Sequence, residues 1–388
     1  MNAQPEHSAF PVVVYPPAWR DLRVVLAHDW LTGMRGGERV LELLCAGMPG
    51  APVYTLLHRR GAVSARIEAH PVVTSWLQRV PGIARTYRYF LPFFRSAVER
   101  MTPPPADLLL STSHCAAKGL RVPAGAKHLC YCFTPMRYAW MFHDEYFGRD
   151  PVKRAIVGPL LAALREWDRR ASDRVDRFVT LSRHVQDRIR HSYGRESEVV
   201  YPPVNTSFFT PAGAGHDAFD LMVSALVPYK RVDLAVRAYT RLGFPLRIVG
   251  TGTGYPALRR LAGPNVEFLG WRPDEEVRDL YRRCRCLVFP GEEDFGIVRV
   301  EVQACGRPVV AFGRGGALES VADGVSGVYF AEQTEDALLG AVEACAARRW
   351  DSAAIRRNAE RFNPQAFIDG MDMAIRRCLG VDRTAVLP

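Results

Sequence analysis

Short apolar segments of strand length alternate with helical segments along the 388-residue chain. In the first half these segments are 22–30, 51–57, 107–111, 128–133 and 177–181. In the second half they are 219–227, 246–250, 266–271, 286–290, 307–312 and 323–330. Buried strands that alternate with helices form parallel, doubly wound sheets. The alternation therefore predicts an α/β protein built from two Rossmann-like domains.

The segment "VVYPPVNTSFF", residues 199–209, separates the two blocks. Its adjacent prolines stop a helix and stiffen the chain, and a chain of this length exceeds what one core organises. We predict a first domain over 1–203 and a second over 204–362, followed by a helix that starts near Pro364. Ligands of such sheets bind beyond the carboxyl ends of the strands, so we expect a cleft between the two domains.

Cysteine usage and the chain start bear on cellular location. Cys130/Cys132 and Cys284/Cys286 could be ligand pairs, but neither pair has zinc-type spacing, which favours buried reduced thiols. A reducing, cytosolic location is then expected. Prolines interrupt residues 1–20, which predicts a partly ordered lead-in and not a secretory signal. No apolar run reaches the ~20 residues of a membrane span.

The net charge of +10 is concentrated in the first half of the chain. Residues 1–200 hold 28 Lys+Arg against 18 Asp+Glu, whereas residues 201–388 hold 23 of each. The segment 59–100 has eight arginines and two glutamates, and 76–95 adds the aromatic run "RTYRYFLPFFR". Such a segment suits an anionic membrane surface or lipid phosphate; a solvated arginine-rich helix is the alternative. No nucleic-acid-binding signature is present.

Glycines and cations follow several predicted strands. Gly36 and Gly37 open the first helix, where backbone N–H groups could meet an anion or simply form a tight turn. Lys230 and Arg231, in "VPYKR", stand at a strand end and suit a pyrophosphate. The run "RIVGTGTG" has the wrong glycine spacing for a dinucleotide fingerprint, which argues against a nicotinamide oxidoreductase.

Two acids bracket a predicted strand–turn–helix in "PGEEDFGIVRVEVQACGRPVVA", residues 290–311. Glu293 lies in the loop, and Glu301 lies about one turn inside the helix. Helix-start amides at 296–298 would be unpaired and available to a phosphate or a sugar hydroxyl. Carboxylates accept hydrogen bonds from vicinal hydroxyls, so the arrangement fits a nucleotide-sugar. A glycosidase acid pair is the rival, but it would not need the basic and glycine-rich elements.

This E-x7-E pattern, with "ACGRPVVA" and "GRGGALESV", resembles the donor-site signature of family 4 retaining glycosyltransferases, which have the GT-B fold. Residues 22–380 fit the family. The segments "HDWLTGMRGGERVLE", "TPMRYAW", "YPPVNTSFF" and "VPYKRVDLAV" resemble a bacterial subgroup that builds surface polysaccharides and includes proposed mannosyltransferases. The resemblance implies that the last helix, about 363–388, packs back on the first domain.

The resemblance also implies residue roles. Glu301 would bind the ribose, Glu293 would contact the donor sugar, and Lys230 would neutralise the leaving diphosphate. His114 would lie near the sugar, and Arg137 would meet a lipid-phosphate acceptor. The catalytic set is thus Glu293, Lys230 and His114. The donor-binding set is Gly36, Gly37, Arg231, Phe295, Gly296, Ile297, Val298 and Glu301.

Two positions depart from the family pattern. Ala225 stands where relatives commonly have an arginine, and Arg299 stands where they commonly have a proline. A cation in the first turn opposes the helix dipole. We therefore expect Arg299 to restore, beside the diphosphate, the charge lost at Ala225.

The implied reaction moves a sugar, with mannose from GDP-mannose as the family-based guess, from a nucleotide-sugar to a lipid-linked acceptor with retention. No D-x-D triplet occurs, so neither a metal nor another cofactor is expected, and the enzyme would work at the cytoplasmic face of the membrane. The alternatives are another GT-B enzyme, such as an epimerase or a phosphorylase, and a non-catalytic protein that binds sugar-nucleotides or membrane surfaces.

Overall fold

A computed structural model describes residues 10–140, 151–213 and 215–381, with the backbone alone for 151–157. The chain divides into two compact units. The first contains residues 13–201 and the chain from 367 onward, and the second contains residues 202–366. The chain passes from the first unit to the second between Tyr201 and Pro202.

The first unit is built on a seven-stranded parallel sheet with the order β3-β2-β1-β4-β5-β6-β7. The inner strands β1 and β4 are buried at every residue, as expected when helices cover both faces of a parallel sheet. The strands are β1 (Val24–His28), β2 (Val53–Thr55), β3 (Val72–Thr74), β4 (Leu108–Ser113), β5 (Lys127–Cys132), β6 (Arg177–Thr180) and β7 (Ser197–Val199).

Helices and short 3₁₀ turns connect these strands. The 3₁₀ turns are Pro17–Trp19, Trp76–Arg79, Tyr87–Phe93 and Ala117–Gly119. The α-helices are α1 (Gly36–Gly47), α2 (Ala65–Glu68), α3 (Ile83–Thr86), α4 (Phe94–Glu99), α5 (Arg137–Trp140), α6 (Pro151–Asp173) and α7 (Arg183–Tyr193).

The second unit is built on a six-stranded parallel sheet with the order β10-β9-β8-β11-β12-β13. The strands are β8 (Asp220–Val223), β9 (Leu246–Val249), β10 (Val266–Gly270), β11 (Leu287–Phe289), β12 (Val309–Phe312) and β13 (Gly327–Phe330). The α-helices are α8 (Val232–Leu242), α9 (Tyr255–Leu261), α10 (Asp274–Arg283), α11 (Ile297–Ala304), α12 (Ala317–Ser320), α13 (Glu335–Ala347) and α14 (Ser352–Glu360). A 3₁₀ turn covers Pro228–Lys230.

The last helix, α15 (Pro364–Leu379), belongs to the first unit from Phe367 onward. Its Phe367 ring packs edge-on against Tyr131 of β5, with the ring centroids 5.7 Å apart. Its Asp372 accepts a hydrogen bond from the indole of Trp19 at 2.9 Å. Because Trp19 is fully buried, the end of the segment predicted as a partly ordered lead-in is part of the core. Residues 382–388 of the predicted tail helix lie outside the described residues.

Every predicted strand is present, with ends shifted by a few residues. The sequence reading missed β3 and β7. Each has three residues and lies at a sheet edge, and none of its residues is fully buried. Such strands carry too few apolar residues to stand out from a loop. All nine cysteines are buried free thiols, as predicted.

A fully paired charge lies in the core of the first unit. Lys118 and Asp168 form an ion pair, and both side chains are almost entirely buried. Asp168 also accepts hydrogen bonds from Trp140 at 2.9 Å and Tyr193 at 2.7 Å. Burial opposes the ammonium charge, but the Asp168 carboxylate raises the pKa of Lys118 above its usual value. Lys118 therefore stays charged, and the pair with its hydrogen bonds fixes α5, α6 and α7 to one another.

Removal of this acid should be far more costly than removal of an exposed one on the same helix. Asp168→Ala leaves a buried cation without its partner, so we expect the free energy of unfolding to fall by about 3–5 kcal/mol. Glu166→Ala, two positions earlier on α6, removes only an exposed pair with Arg169 and Arg170. It should change stability by less than ~1 kcal/mol. Urea denaturation of both variants checks this, and equal losses would contradict the core role of Asp168.

Candidate functional site

The strand order of the second unit reverses between β8 and β11, and the predicted donor residues gather at the carboxyl ends of these two strands. Lys230 follows β8 and Glu293 follows β11. Their side chains form an ion pair and are only 15% and 14% exposed. Ligands of doubly wound sheets bind at such a reversal. The sequence could place each residue after a strand, but it could not show that the two strands are neighbours.

The turn that carries Lys230 has a strained backbone. Arg231 has a φ of 51° and a ψ of 37°, and it is the one non-glycine residue with positive φ in the described part of the chain. Its Nη1 donates to Gln333 Oε1 at 2.9 Å, and Gln333 Nε2 donates to the carbonyl of Pro290 at 2.7 Å. Gln333 thus ties the loops after β8 and β11 together. Strain of this kind accumulates at functional sites, and the sequence reading did not single out Gln333.

Helix α11 begins at the same edge of the sheet. Gly296 is its N-cap residue in the left-handed region, with a φ of 76°, and as a glycine it has no side chain to cap the helix. Residues 296–298 are half-buried. The first N–H groups of a helix have no partner within it. The predicted turn and helix start are therefore present at the expected place, and their anion-binding role stays a prediction.

A second glycine loop packs against this turn. The amide of Gly316 donates to the carbonyl of Glu293 at 2.8 Å. A Cβ at Gly316 would lie 2.4 Å from Cα of Phe295, and one at Gly315 would lie 2.6 Å from the carbonyl oxygen of Glu293. The glycines of "GRGG" therefore allow a backbone approach that any side chain would block.

Glu301 is oriented by a buried tyrosine. The hydroxyl of Tyr281, on α10, donates to Glu301 Oε2 at 2.9 Å. Burial and the nearby Glu301 charge raise the pKa of Tyr281 well above its usual value, so the phenol remains a donor. Glu301 itself is half-buried, one turn into α11. Tyr281 is a second positioning residue that sequence reasoning missed, because α10 and α11 meet only in the tertiary structure.

Arg299 does not have its predicted position. The side chain is fully buried, and it donates to the Phe295 carbonyl and, at 3.0 Å, to Ser320 Oγ. Direct contact with a phosphate is therefore wrong for this residue. Helix geometry explains the error: residues two apart differ by about 200° around the axis, so Arg299 and Glu301 point to opposite sides. That spacing was visible in the sequence.

The first unit has its own reversal, between β1 and β4. Asp29 follows β1, and its buried carboxylate accepts four backbone N–H groups from residues 114–117 at 2.6–3.0 Å. It also faces Nδ1 of His114 at 3.0 Å. Burial opposes ionisation, but the charge and hydrogen bonds of His114 hold the pKa of Asp29 well below its usual range.

This contact fixes the His114 ring, which is 31% exposed and meets Trp30 edge-on at 4.6 Å. With Nδ1 turned to Asp29, Nε2 is the nitrogen that can meet a ligand. Sequence reasoning missed Asp29. Its position directly after the first strand, in "LAHDW", was a signal that could have identified it.

The other predicted residues of the first unit lie near this reversal. Helix α1 starts at Gly36. A Cβ at Gly37 would lie 3.3 Å from the Phe133 ring and 3.4 Å from His28, so the loop packs closely over both rings. The Phe133 ring lies 6.4 Å from that of His114. Arg137 opens α5 and is half-buried. The anion-binding roles of Gly36, Gly37 and Arg137 stay predictions.

Comparisons with known proteins find glycosyltransferase models over both units. The family model described as "Glycosyltransferase Family 4" matches residues 34–208, and the one described as "Glycosyl transferases group 1" matches residues 207–362. Each half of the chain thus resembles a glycosyltransferase domain. A D-inositol 3-phosphate glycosyltransferase of Geodermatophilus obscurus is 33% identical over 58% of this chain and 56% of its own length. The chain spans about half the length, or less, of the curated relatives it matches.

Solved structures share the fold of this chain. Anabaena HepE in complex with UDP and glucose has a TM-score of 0.67 and 18% identity, over 91% of this chain and 99% of that one. The apo form of the lipopolysaccharide outer core galactosyltransferase WaaB has a TM-score of 0.63 and 15% identity, over 91% and 99%. The predicted fold class, a GT-B protein with two Rossmann-like doubly wound domains, is confirmed.

Two searches of the described residues were negative. No helix among them has both the length and the apolar character needed to cross a membrane. In the same part of the chain, no group of three or more His, Cys, Asp or Glu side chains could hold a metal ion.

The turn at Gly296 should not tolerate a side chain. Gly296→Ala adds a Cβ that would lie 2.5 Å from Cζ of Arg299, at a φ that alanine disfavours, so we expect a loss of more than ~1 kcal/mol. Gly340→Ala is the matched control, because Gly340 lies within α13 with no atom near its Cβ position. The control should gain about 0.5–1 kcal/mol. Chemical denaturation measures both, and a neutral Gly296→Ala would show that the turn can relax.

Proposed function

We propose that the protein is a retaining glycosyltransferase that moves a sugar from a nucleoside-diphosphate donor to a lipid-linked saccharide acceptor in surface-polysaccharide synthesis. The observation that carries the proposal is the cluster at the β8/β11 reversal. There a paired cation, a helix N-terminus and an oriented carboxylate lie at one sheet edge. HepE, which shares the fold, was solved with UDP and glucose.

The roles proposed for the cations and amides follow from the negative charge that develops on the leaving diphosphate. Departure of the diphosphate builds negative charge, which Lys230 and the amides of Phe295–Val298 would stabilise from fixed positions. Lys230 is paired with Glu293, and this contact holds its charge at the site. Arg231, braced by Gln333, would add a second cation.

The carboxylates would bind hydroxyl groups. Glu301, oriented by Tyr281, would accept from the ribose, and Glu293 would accept from the transferred sugar. Neither acid is assigned as a covalent nucleophile, so retention would arise from attack on the face that the diphosphate leaves. His114 of the first unit would contact the sugar through Nε2, because its Nδ1 faces Asp29. The proposed reaction uses neither a metal nor another cofactor.

The donor is proposed to be a hexose nucleotide, and GDP-mannose is the family-based choice. UDP-glucose is the natural comparison, because HepE was also solved with that donor. The relatives named D-inositol 3-phosphate glycosyltransferases use an acceptor that carries a phosphate. Arg137 would meet the phosphate of a lipid-linked acceptor.

Loss of either the cation or the ribose acid should abolish most transfer. We expect Lys230→Ala and Glu301→Ala each to lower turnover by at least about 100-fold, the scale of one lost electrostatic contact in a transition state. The assay measures nucleoside diphosphate release from GDP-mannose and UDP-glucose, with and without polyprenyl-diphosphate-linked saccharides. Arg357→Gln, an exposed change on α14, is the control and should be neutral.

Other outcomes identify the alternatives. Near-wild-type activity in both variants would contradict the site assignment. Donor conversion without an acceptor would indicate an epimerase or a hydrolase. Release dependent on inorganic phosphate would indicate a phosphorylase, and donor binding without turnover would indicate a binding protein.

The basic-aromatic segment 76–95 is proposed to contact the anionic inner membrane surface. Tyr89 is 85% exposed and Phe93 is 49% exposed, and Arg85 and Arg88 beside them are also exposed. Aromatic rings at the headgroup level, with cations on anionic lipid, are the features of a peripheral membrane protein. The protein would then act at the cytoplasmic face, where lipid-linked acceptors are found.

Charge reversal should weaken this contact selectively. Arg85→Glu with Arg88→Glu should reduce binding to vesicles with 30% phosphatidylglycerol by about tenfold or more, since each Arg contributes about 1 kcal/mol at such a surface. Arg259→Glu with Arg260→Glu makes the same charge change on the exposed face of α9 and should have little effect. Co-sedimentation measures both. Equal loss in the two double variants would contradict a local membrane site.

A further inference from the structure

Arg299 is a buried cation without a buried anion. Its side chain has no exposed surface, and it lies with Cζ 4.8 Å from the centre of the Phe289 ring. Among the described residues, the ionisable group that bears on its charge is the Tyr329 hydroxyl, and no carboxylate is paired with it. A charge in such surroundings is costly unless another charge compensates it.

The guanidinium is also incompletely hydrogen-bonded. Nη2 donates to the Phe295 carbonyl and Nε donates to Ser320 Oγ, but the buried Nη1 has no partner. Burial lowers the pKa of Arg299 to about 9, so the group is still charged at neutral pH. An unsatisfied buried donor in a native structure requires an explanation. Here, Nε and Nη2 of Arg299 anchor neighbouring segments, and Nη1 does not.

The position of the guanidinium gives that explanation. A Cβ at Gly296 would lie 2.5 Å from Cζ and 2.9 Å from Nη1 of Arg299. The cation therefore lies directly behind the glycine that caps α11, with one backbone turn between it and the outer surface of the site. The first amides of α11 and the ion-paired Lys230 lie at the same edge. Each of these features favours an anion in front of the turn.

We propose that Arg299 is the buried counter-charge for the diphosphate of the nucleotide, and that it acts through the Phe295–Gly296 turn without touching the ligand. Its charge attracts the diphosphate across the turn, where the low dielectric weakens screening. Its bond to the Phe295 carbonyl holds that oxygen inward, away from the anion. The inference rests on the proposed function, because it requires a diphosphate at this edge of the sheet.

A counter-charge role and a purely structural role for Arg299 predict different changes in nucleotide affinity. A counter-charge affects the diphosphate and not the uncharged part of the nucleotide, which Glu301 would hold on the opposite face of α11. A structural anchor would disturb both, since the turn and the helix are continuous. The ratio of the Kd for a nucleoside diphosphate to the Kd for its nucleoside therefore separates the two roles.

The experiment compares three full-length variants with the wild type. Wild-type protein is first screened with GDP, UDP, ADP and dTDP by calorimetry, and the base that binds is used thereafter. Arg299→Gln keeps a donor for the Phe295 carbonyl but is neutral, Arg299→Lys keeps the charge, and Arg357→Gln makes the same charge change on the surface of α14. Kd values are measured for the diphosphate and, by competition, for the nucleoside.

We expect Arg299→Gln to weaken diphosphate binding about ten- to thirtyfold, as for one unit charge at a partly shielded distance, with nucleoside binding unchanged within about twofold. Arg299→Lys should retain most of the diphosphate affinity, and Arg357→Gln should behave as wild type. The thermal midpoint of ligand-free Arg299→Gln should not fall, because loss of a buried unpaired charge offsets the lost hydrogen bonds.

The inference is overturned if Arg299→Gln leaves diphosphate affinity unchanged, if it weakens both ligands in parallel, or if Arg299→Lys loses as much as Arg299→Gln. If Arg299→Gln does not fold, Arg299→Met, which is neutral and similar in length, is tested against the same criteria. A wild-type protein that binds none of the four diphosphates would remove the proposed function itself. If the wild type binds one of them and Arg299→Gln binds it with the same Kd, only the proposed role of Arg299 is overturned.

Discussion

In each unit, the position of the site depends on a reversal of strand order in a parallel sheet. On either side of such a reversal the crossover helices leave on opposite faces, so the space beyond the carboxyl ends of the two central strands stays uncovered. In the second unit the loops after β8 and β11 bring Lys230 and Glu293 together there. In the first unit the loops after β1 and β4 do the same for Asp29 and His114.

Loops at such an edge need support, and buried polar contacts supply it. Four backbone amides that converge on Asp29 fix the segment that carries His114. Gln333 ties the strained Arg231 turn to the loop after β11. Hydrogen bonds depend on direction, whereas apolar packing does not. These bonds therefore hold the side chains in the orientation that a ligand would require.

Two buried cations in the chain differ in how their charge is compensated. Lys118 is paired with Asp168, whose remaining acceptor capacity is taken up by Trp140 and Tyr193. Arg299 has only neutral acceptors and an unpaired Nη1. The first arrangement is complete within the core of its unit. The second lies behind an anion-facing turn, which is why we assign the missing anion to the ligand.

The sequence by itself determined the α/β class, nearly all strands, and the strand–turn–helix that carries Glu293 and Glu301, because these depend on local apolar pattern and turn residues. It also placed Arg299 in the first turn of α11. Only the tertiary structure decided that β8 lies beside β11, that Tyr281 and Gln333 support the site, and which of the two opposite sides of α11, that of Arg299 or that of Glu301, is buried. Those facts depend on contacts between segments far apart in the chain, for which a single sequence contains no direct signal.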